Sequence, residues 1–150
     1  MAYTIELATE IGAPPDRVWR ALCDPAAVTR WDAAVVAALD APADYPQPGQ
    51  HVRWRCRDTS ELLHDRPQEV EPERRLRSLL EFGRQRLDET YTLTATPAGT
   101  RLDLAIRLRV SAQFIAGPIL MHLVDGPAVR RAFEGSLTNL KFYCEMSGLS

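Results

Sequence analysis

Ile11-Gly-Ala-Pro-Pro-Asp-Arg-Val-Trp-Arg-Ala-Leu-Cys-Asp-Pro-Ala-Ala-Val-Thr-Arg-Trp-Asp32 is the stretch whose reading decides the fold. It follows an alternating segment, Tyr3 to Ile11, in which Ile5, Leu7 and Ile11 share one face. Such alternation reads as a half-buried strand. Pro14 and Pro15 suit a helix start, where a missing backbone N–H costs nothing. Val18, Leu22 and Val28, with Trp19 and Trp31, recur near helical spacing. Asp24-Pro25 stops the first helix, because the residue before proline avoids the α region. The spacing thus predicts two short helices, roughly Asp16–Cys23 and Ala26–Trp31.

Downstream, the period is that of strands. Val35 to Leu39 is a short one, and the proline-rich run from Ala41 to Gln50 is a loop. His51 to Arg57 alternates Val52, Trp54 and Cys56 against Arg53, Arg55 and Arg57. Leu62 to Val70, Leu76 to Phe82, Leu87 to Thr96 and Thr100 to Val110 follow, separated by turns. Short, closely spaced strands argue for one antiparallel meander. From Pro127 the period changes. Val129, Phe133, Leu137, Leu140 and Cys144 recur every three or four residues, which predicts a helix to about Met146. Ser111 to Gly126 is apolar, with a Gly117-Pro118 hinge, and reads either as a lid or as a core-packing helix.

Composition bounds the function. The 150 residues are 45% hydrophobic and 25% charged, with a net charge of −2. That is the balance of one globular domain, 1–150, without the basic footprint of a nucleic-acid binder. The longest apolar run, Phe114 to Val124, falls well short of the ~20 residues of a membrane span. The N-terminus is a strand pattern rather than a secretion signal, so a cytoplasmic location is expected. Cys23, Cys56 and Cys144 form no CxxC pair and read as reduced thiols packed as small hydrophobes. No two histidines fall at metal-ligand spacing, so no metal is expected, and no motif calls for a cofactor. Oligomeric state is not legible.

The order strand, helix, helix, strands, long helix resembles the START-like superfamily, also called SRPBCC or helix-grip. The words quoted above carry the likeness. Gln68-Glu-Val70-Glu-Pro72-Glu-Arg-Arg-Leu76 resembles the family's mid-sheet hairpin. Ser136-Leu-Thr-Asn-Leu140-Lys-Phe-Tyr-Cys-Glu145 resembles its closing helix. The resemblance implies an α+β fold, in which a curved antiparallel sheet of six to seven strands wraps around the C-terminal helix. It also implies an internal cavity between sheet and helix, holding a small hydrophobic or aromatic, lipid- or polyketide-like molecule. The family's polyketide cyclases and dehydratases make an enzyme in the same cavity the alternative; its co-chaperone relatives suggest an interaction domain, for which no marker is present.

Regular turns estimate which residues face such a cavity. Taking Gly83–Arg86 as a four-residue turn pairs Phe82 with Leu87 and Leu80 with Glu89. The turn at Pro97–Thr100 pairs Tyr91 with Ile106 and Glu89 with Leu108. The turn at Glu71–Arg75 pairs Gln68 with Ser78, Arg66 with Leu80 and His64 with Phe82. Arg66 and Glu89 are then two strands apart, about 10 Å at the backbone. A charge in a dry core needs a partner, so Glu89, Tyr91, Arg66 and His64 become the candidate acid–base or oxyanion groups. The expected ligand contacts are Trp54, Arg66, Gln68, Ser78, Leu80, Phe82, Glu89 and Tyr91. Leu104, Ile106, Leu108, Leu123, Phe133 and Leu137 complete the expected wall. Any β-bulge would move this register.

Overall fold

The computed structural model describes residues 2–110 and 126–146. Strand β1 (Ala2–Ile11) runs into α1 (Pro15–Cys23) and α2 (Pro25–Trp31). Pro15 occupies the first turn of α1, as its missing N–H allows. Asp24 both ends α1 and caps α2, its carboxylate accepting the Ala26 N–H at 3.0 Å. Helix α2 therefore starts at Pro25, one residue earlier than the spacing predicts. Trp31 is buried, and its indole N–H donates to the Ala21 carbonyl at 2.9 Å, fastening α2 across α1. Trp19 is only partly buried against the core.

The chain then forms β2 (Val35–Ala38), β3 (Val52–Cys56), β4 (Leu62–Glu71), β5 (Arg75–Phe82), β6 (Gln85–Thr96) and β7 (Gly99–Val110). All seven strands make one antiparallel sheet, ordered β1-β7-β6-β5-β4-β3-β2. The connections from β3 to β7 are hairpins, and β1 closes beside β7. This is the α+β helix-grip architecture: a curved sheet, two short helices after its first strand, and a long C-terminal helix.

That helix, α3 (Gly126–Met146), packs on β1, α1 and α2. Leu137, Leu140 and Cys144 are its buried stripe, with Val129 and Phe133 partly buried above them. Two polar ties hold its end to β1. Lys141 Nζ donates to the Glu10 carbonyl at 2.7 Å, and Glu145 accepts the Gly12 N–H at 2.9 Å. That N–H and Lys141 hold the Glu145 carboxyl below its ordinary range. At the opposite hairpin, Gly99 has φ 149°, and a Cβ there would lie 2.2 Å from the Ile11 carbonyl oxygen. Only glycine lets the β6–β7 turn approach the β1–α1 junction so closely. The Thr100 hydroxyl completes that junction by donating to the Ala13 carbonyl at 2.7 Å.

No helix among the described residues is long and apolar enough to cross a membrane.

Candidate functional site

Two tight turns and one bulge decide which side chains face inward. Phe82 pairs with Gln85, so Gly83-Arg84 is a two-residue turn, with Gly83 at φ 58°. Thr96 pairs with Gly99 in the same way. Each turn is two residues tighter than regular four-residue loops would make it. A two-residue slip moves the rows but keeps the face. Glu89 therefore still points inward, opposite Ser78 and Ile106, and Tyr91 opposite Leu76 and Leu104.

The β4–β5 pair differs by one residue, and there the face inverts. A bulge between Pro67 and Glu69 leaves Gln68 unpaired. Pro67, not Gln68, then faces Ser78; Asp65, not Arg66, faces Leu80; and Leu63, not His64, faces Phe82. Arg66 lies on the outer face, paired with Glu81 at 3.0 Å. Gln68 is exposed at the bulge, donating to the Arg66 carbonyl at 3.1 Å. His64 lies on that outer face too, with its Nδ1 2.8 Å from His51 Nε2. The expected inward placing of Arg66, Gln68 and His64 is thus corrected, and Asp65 takes the position assigned to Arg66.

The inward face meets α1, α2 and the loop before β3 around a cavity of about 70 Å³. Leu22, Val28 and Trp31 form its helical wall. Trp54, Leu80 and Tyr91 belong to its sheet wall. Its polar lining is Asp32, Tyr45, Asp65, Ser78 and Glu89. No α3 residue is among the described lining. Leu104, Ile106, Leu108 and Leu137 are buried in the core rather than at this cavity, and Phe133 packs against that core. They sit on strands or a helix beyond its walls. Phe82 is half-buried beside Leu63 but is not part of the lining, and Leu123 and the expected lid Ser111–Gly126 lie outside the described residues, except for Gly126 at the start of α3.

Asp65 is the hub. It is 4% exposed, and its Oδ2 accepts the Tyr45 hydroxyl at 2.6 Å and the Trp54 indole N–H at 3.1 Å. The Tyr45 and Trp54 rings meet edge to face, 6.2 Å apart. Burial pushes the Asp65 carboxyl up, and these donors, with nearby Ser78, pull it partly back. Its Oδ1 finds no hydrogen bond of good geometry. Asp32, just past α2, is likewise raised by burial, against the pull of the Ala34 N–H at 2.9 Å. Among the described residues Glu89 has no hydrogen-bond or ion-pair partner. Burial, and then the Asp65 and Asp32 carboxylates, push its carboxyl up to about 8. The Tyr45 and Tyr91 hydroxyls are raised well above their ordinary value, chiefly by burial, and stay protonated.

This arrangement can hold a small organic molecule against aromatic and aliphatic walls while presenting an exchangeable proton on Glu89. Asp65, Asp32 and Tyr45 went unrecognised in the sequence. Leu62 and Leu63 blur the parity of β4, and Tyr45 sits among loop prolines with no periodicity to place it. Among the described residues no three His, Cys, Asp or Glu side chains are grouped to hold a metal ion.

Comparison with known proteins agrees with the fold. A protein of Rhizobium leguminosarum superposes with a TM-score of 0.76 at 22% identity, over 97% of this chain and 96% of its own. A protein of Chromobacterium violaceum gives 0.73 at 24% identity, over 95% and 96%. DynU16, encoded in the dynemicin biosynthetic locus, gives 0.69 at 20% identity, over 96% of this chain and 48% of its own. No curated protein matches. A family model described as polyketide cyclase / dehydrase and lipid transport matches residues 3–145. Matched over nearly its whole length, the chain belongs to that family.

Proposed function

We propose that this protein encloses a small, largely apolar or aromatic molecule in the cavity between the short helices and the sheet, with Glu89 meeting its polar group. One observation carries the reading. Glu89 is part-buried on the cavity wall, yet no described residue hydrogen-bonds to it. A polar group so placed is costly unless something else satisfies it. Pockets of this kind are mostly apolar, with a few placed polar groups that orient the guest. Arg66, Gln68 and His64, turned to the outer face, have no part in it.

Native mass spectrometry of the purified protein tests this. A small molecule should travel with the wild type and be lost or reduced in Trp54→Ala, which opens the wall. Equal retention by both proteins would place the guest elsewhere.

A second reading is catalysis in the same cavity, as the family's description suggests. Glu89, held at about 8, is poised to give and take a proton near neutral pH. Folding a flexible substrate against the walls would itself accelerate ring closure. Glu89→Gln separates the two: an enzyme loses turnover and keeps its substrate, whereas a carrier loses only affinity. Three free thiols accord with a reducing, cytoplasmic setting.

A further inference from the structure

Three carboxyl groups face this cavity, and no cation does among the described residues. Asp32, Asp65 and Glu89 line it, and its described lining contains no lysine, arginine or histidine. Residues 111–125 and 147–150 contain no lysine or arginine either; His122 is the one basic side chain there. On the outer face of the sheet, several carboxylates have a cation of their own. Glu81 pairs with Arg66, Asp88 with Arg77 and Asp103 with Arg101. The acids of the cavity have none among the described residues.

The acceptors left over are specific. Asp65 is nine-tenths buried, with its Oδ1 unpartnered, and the whole Glu89 carboxyl is unpartnered. A neutral hydroxyl guest could fill one acceptor but brings no counter-charge to an ionised carboxylate. A single metal ion is poorly served, because among the described residues no three acids group around one point. An ammonium supplies up to three donors and the missing charge together. The remaining walls suit it too, since Trp31, Trp54, Tyr45 and Tyr91 can present ring faces that attract cations.

Building on the cavity reading above, we propose that the bound molecule carries a basic nitrogen, held as an ammonium by Glu89 and Asp65 against the aromatic walls. The protein is then a receptor or processor of a small amine rather than of a neutral hydrocarbon.

The test compares isobutylamine, protonated at neutral pH, with isobutanol, its neutral counterpart of equal shape. Each is titrated into the nitrogen-15-labelled protein, with the Trp54 indole N–H signal as reporter. The amine should bind with a Kd at least about tenfold below that of the alcohol. Glu89→Gln should erase this advantage and leave the alcohol unaffected. Asp32→Asn, a second variant outside the proposed contact, should reduce it in part through the weakened field. Equal Kd values in the wild type, or an undiminished amine preference in Glu89→Gln, overturn the proposal while the cavity reading stands. If neither probe moves the indole signal, the cavity reading itself fails, and this proposal with it.

Discussion

Replacing Glu89 by glutamine should remove a pH dependence that its carboxyl imposes on folding. Burial raises that carboxyl from 4.5 to about 8. Between those values the folded chain keeps a proton that the unfolded chain has released. Stability from this group is therefore full below pH 4.5, falls as pH climbs toward about 8, and is level beyond. At about 1.4 kcal/mol per pH unit the loss reaches a ceiling of about 5 kcal/mol. Water entering the cavity softens the penalty, so a measured value of about 2–5 kcal/mol is expected. That is a large share of the roughly 5–15 kcal/mol that holds an ordinary domain folded. Glutamine has nearly the same shape and no proton to lose. Urea unfolding of both proteins, from about pH 4.5 to about pH 9, reads the difference directly. The two should coincide at the acid end, and the variant should become progressively more stable toward alkaline pH. Asp32 and Asp65 remain in both proteins, so their own titrations largely cancel. A gap that stays constant across the range would refute the argument.

Other expectations follow from the same contacts. Asp65→Ala strands the Tyr45 hydroxyl and the Trp54 indole N–H without their acceptor, and should cost about 2–4 kcal/mol by urea unfolding. Asp65→Asn keeps an acceptor and should recover much of it; equal losses would mean that the hub is not hydrogen-bonded as described. Leu140→Ala, at a fully buried site on α3, should cost about 2–5 kcal/mol. A loss near zero would show that α3 does not pack there. Burial pushes the Cys23 thiol up to about 12 and the Cys144 thiol up to about 11. Both should resist iodoacetamide in the folded protein at neutral pH and react once urea unfolds it; rapid native labelling of Cys23 would contradict this.

The architecture was legible because it rests on periodicity and punctuation. Alternation through Ile5, Leu102, Leu104 and Ile106 marks strands whose inner residues are buried, and Pro15 and Asp24 mark helix ends where they occur. Glu89 and Tyr91 were placed on the inner face because errors of two residues preserve the face of a strand. Arg66, Gln68 and His64 were misplaced because an error of one residue does not. Nothing local announces the bulge: Pro67 and Gln68 read as an ordinary strand edge, and the unpaired residue is visible only against its partner strand. Asp32 and Tyr45 reach the cavity through tertiary closure of a helix end and a loop, which no local pattern encodes.

The bulge at Gln68 has a consequence for how such a cavity can change. Ahead of that position the strand's parity is set by a single extra residue. Deleting Gln68 would only smooth the ladder, leaving Pro67 opposite Ser78 and Asp65 opposite Leu80. Taking Gln68 into the ladder, opposite Ser78, would instead shift every earlier β4 residue by one step and exchange the strand's two faces. Arg66 and His64 would then look toward the guest, while Asp65 and Leu63 turned to solvent. Losing one bulge, with no side chain substituted, would change an acid-rich chamber into one carrying bases. In this scaffold, gaining or losing a bulge on β4 is therefore a route to new ligand chemistry that point substitutions could match only by several coordinated steps.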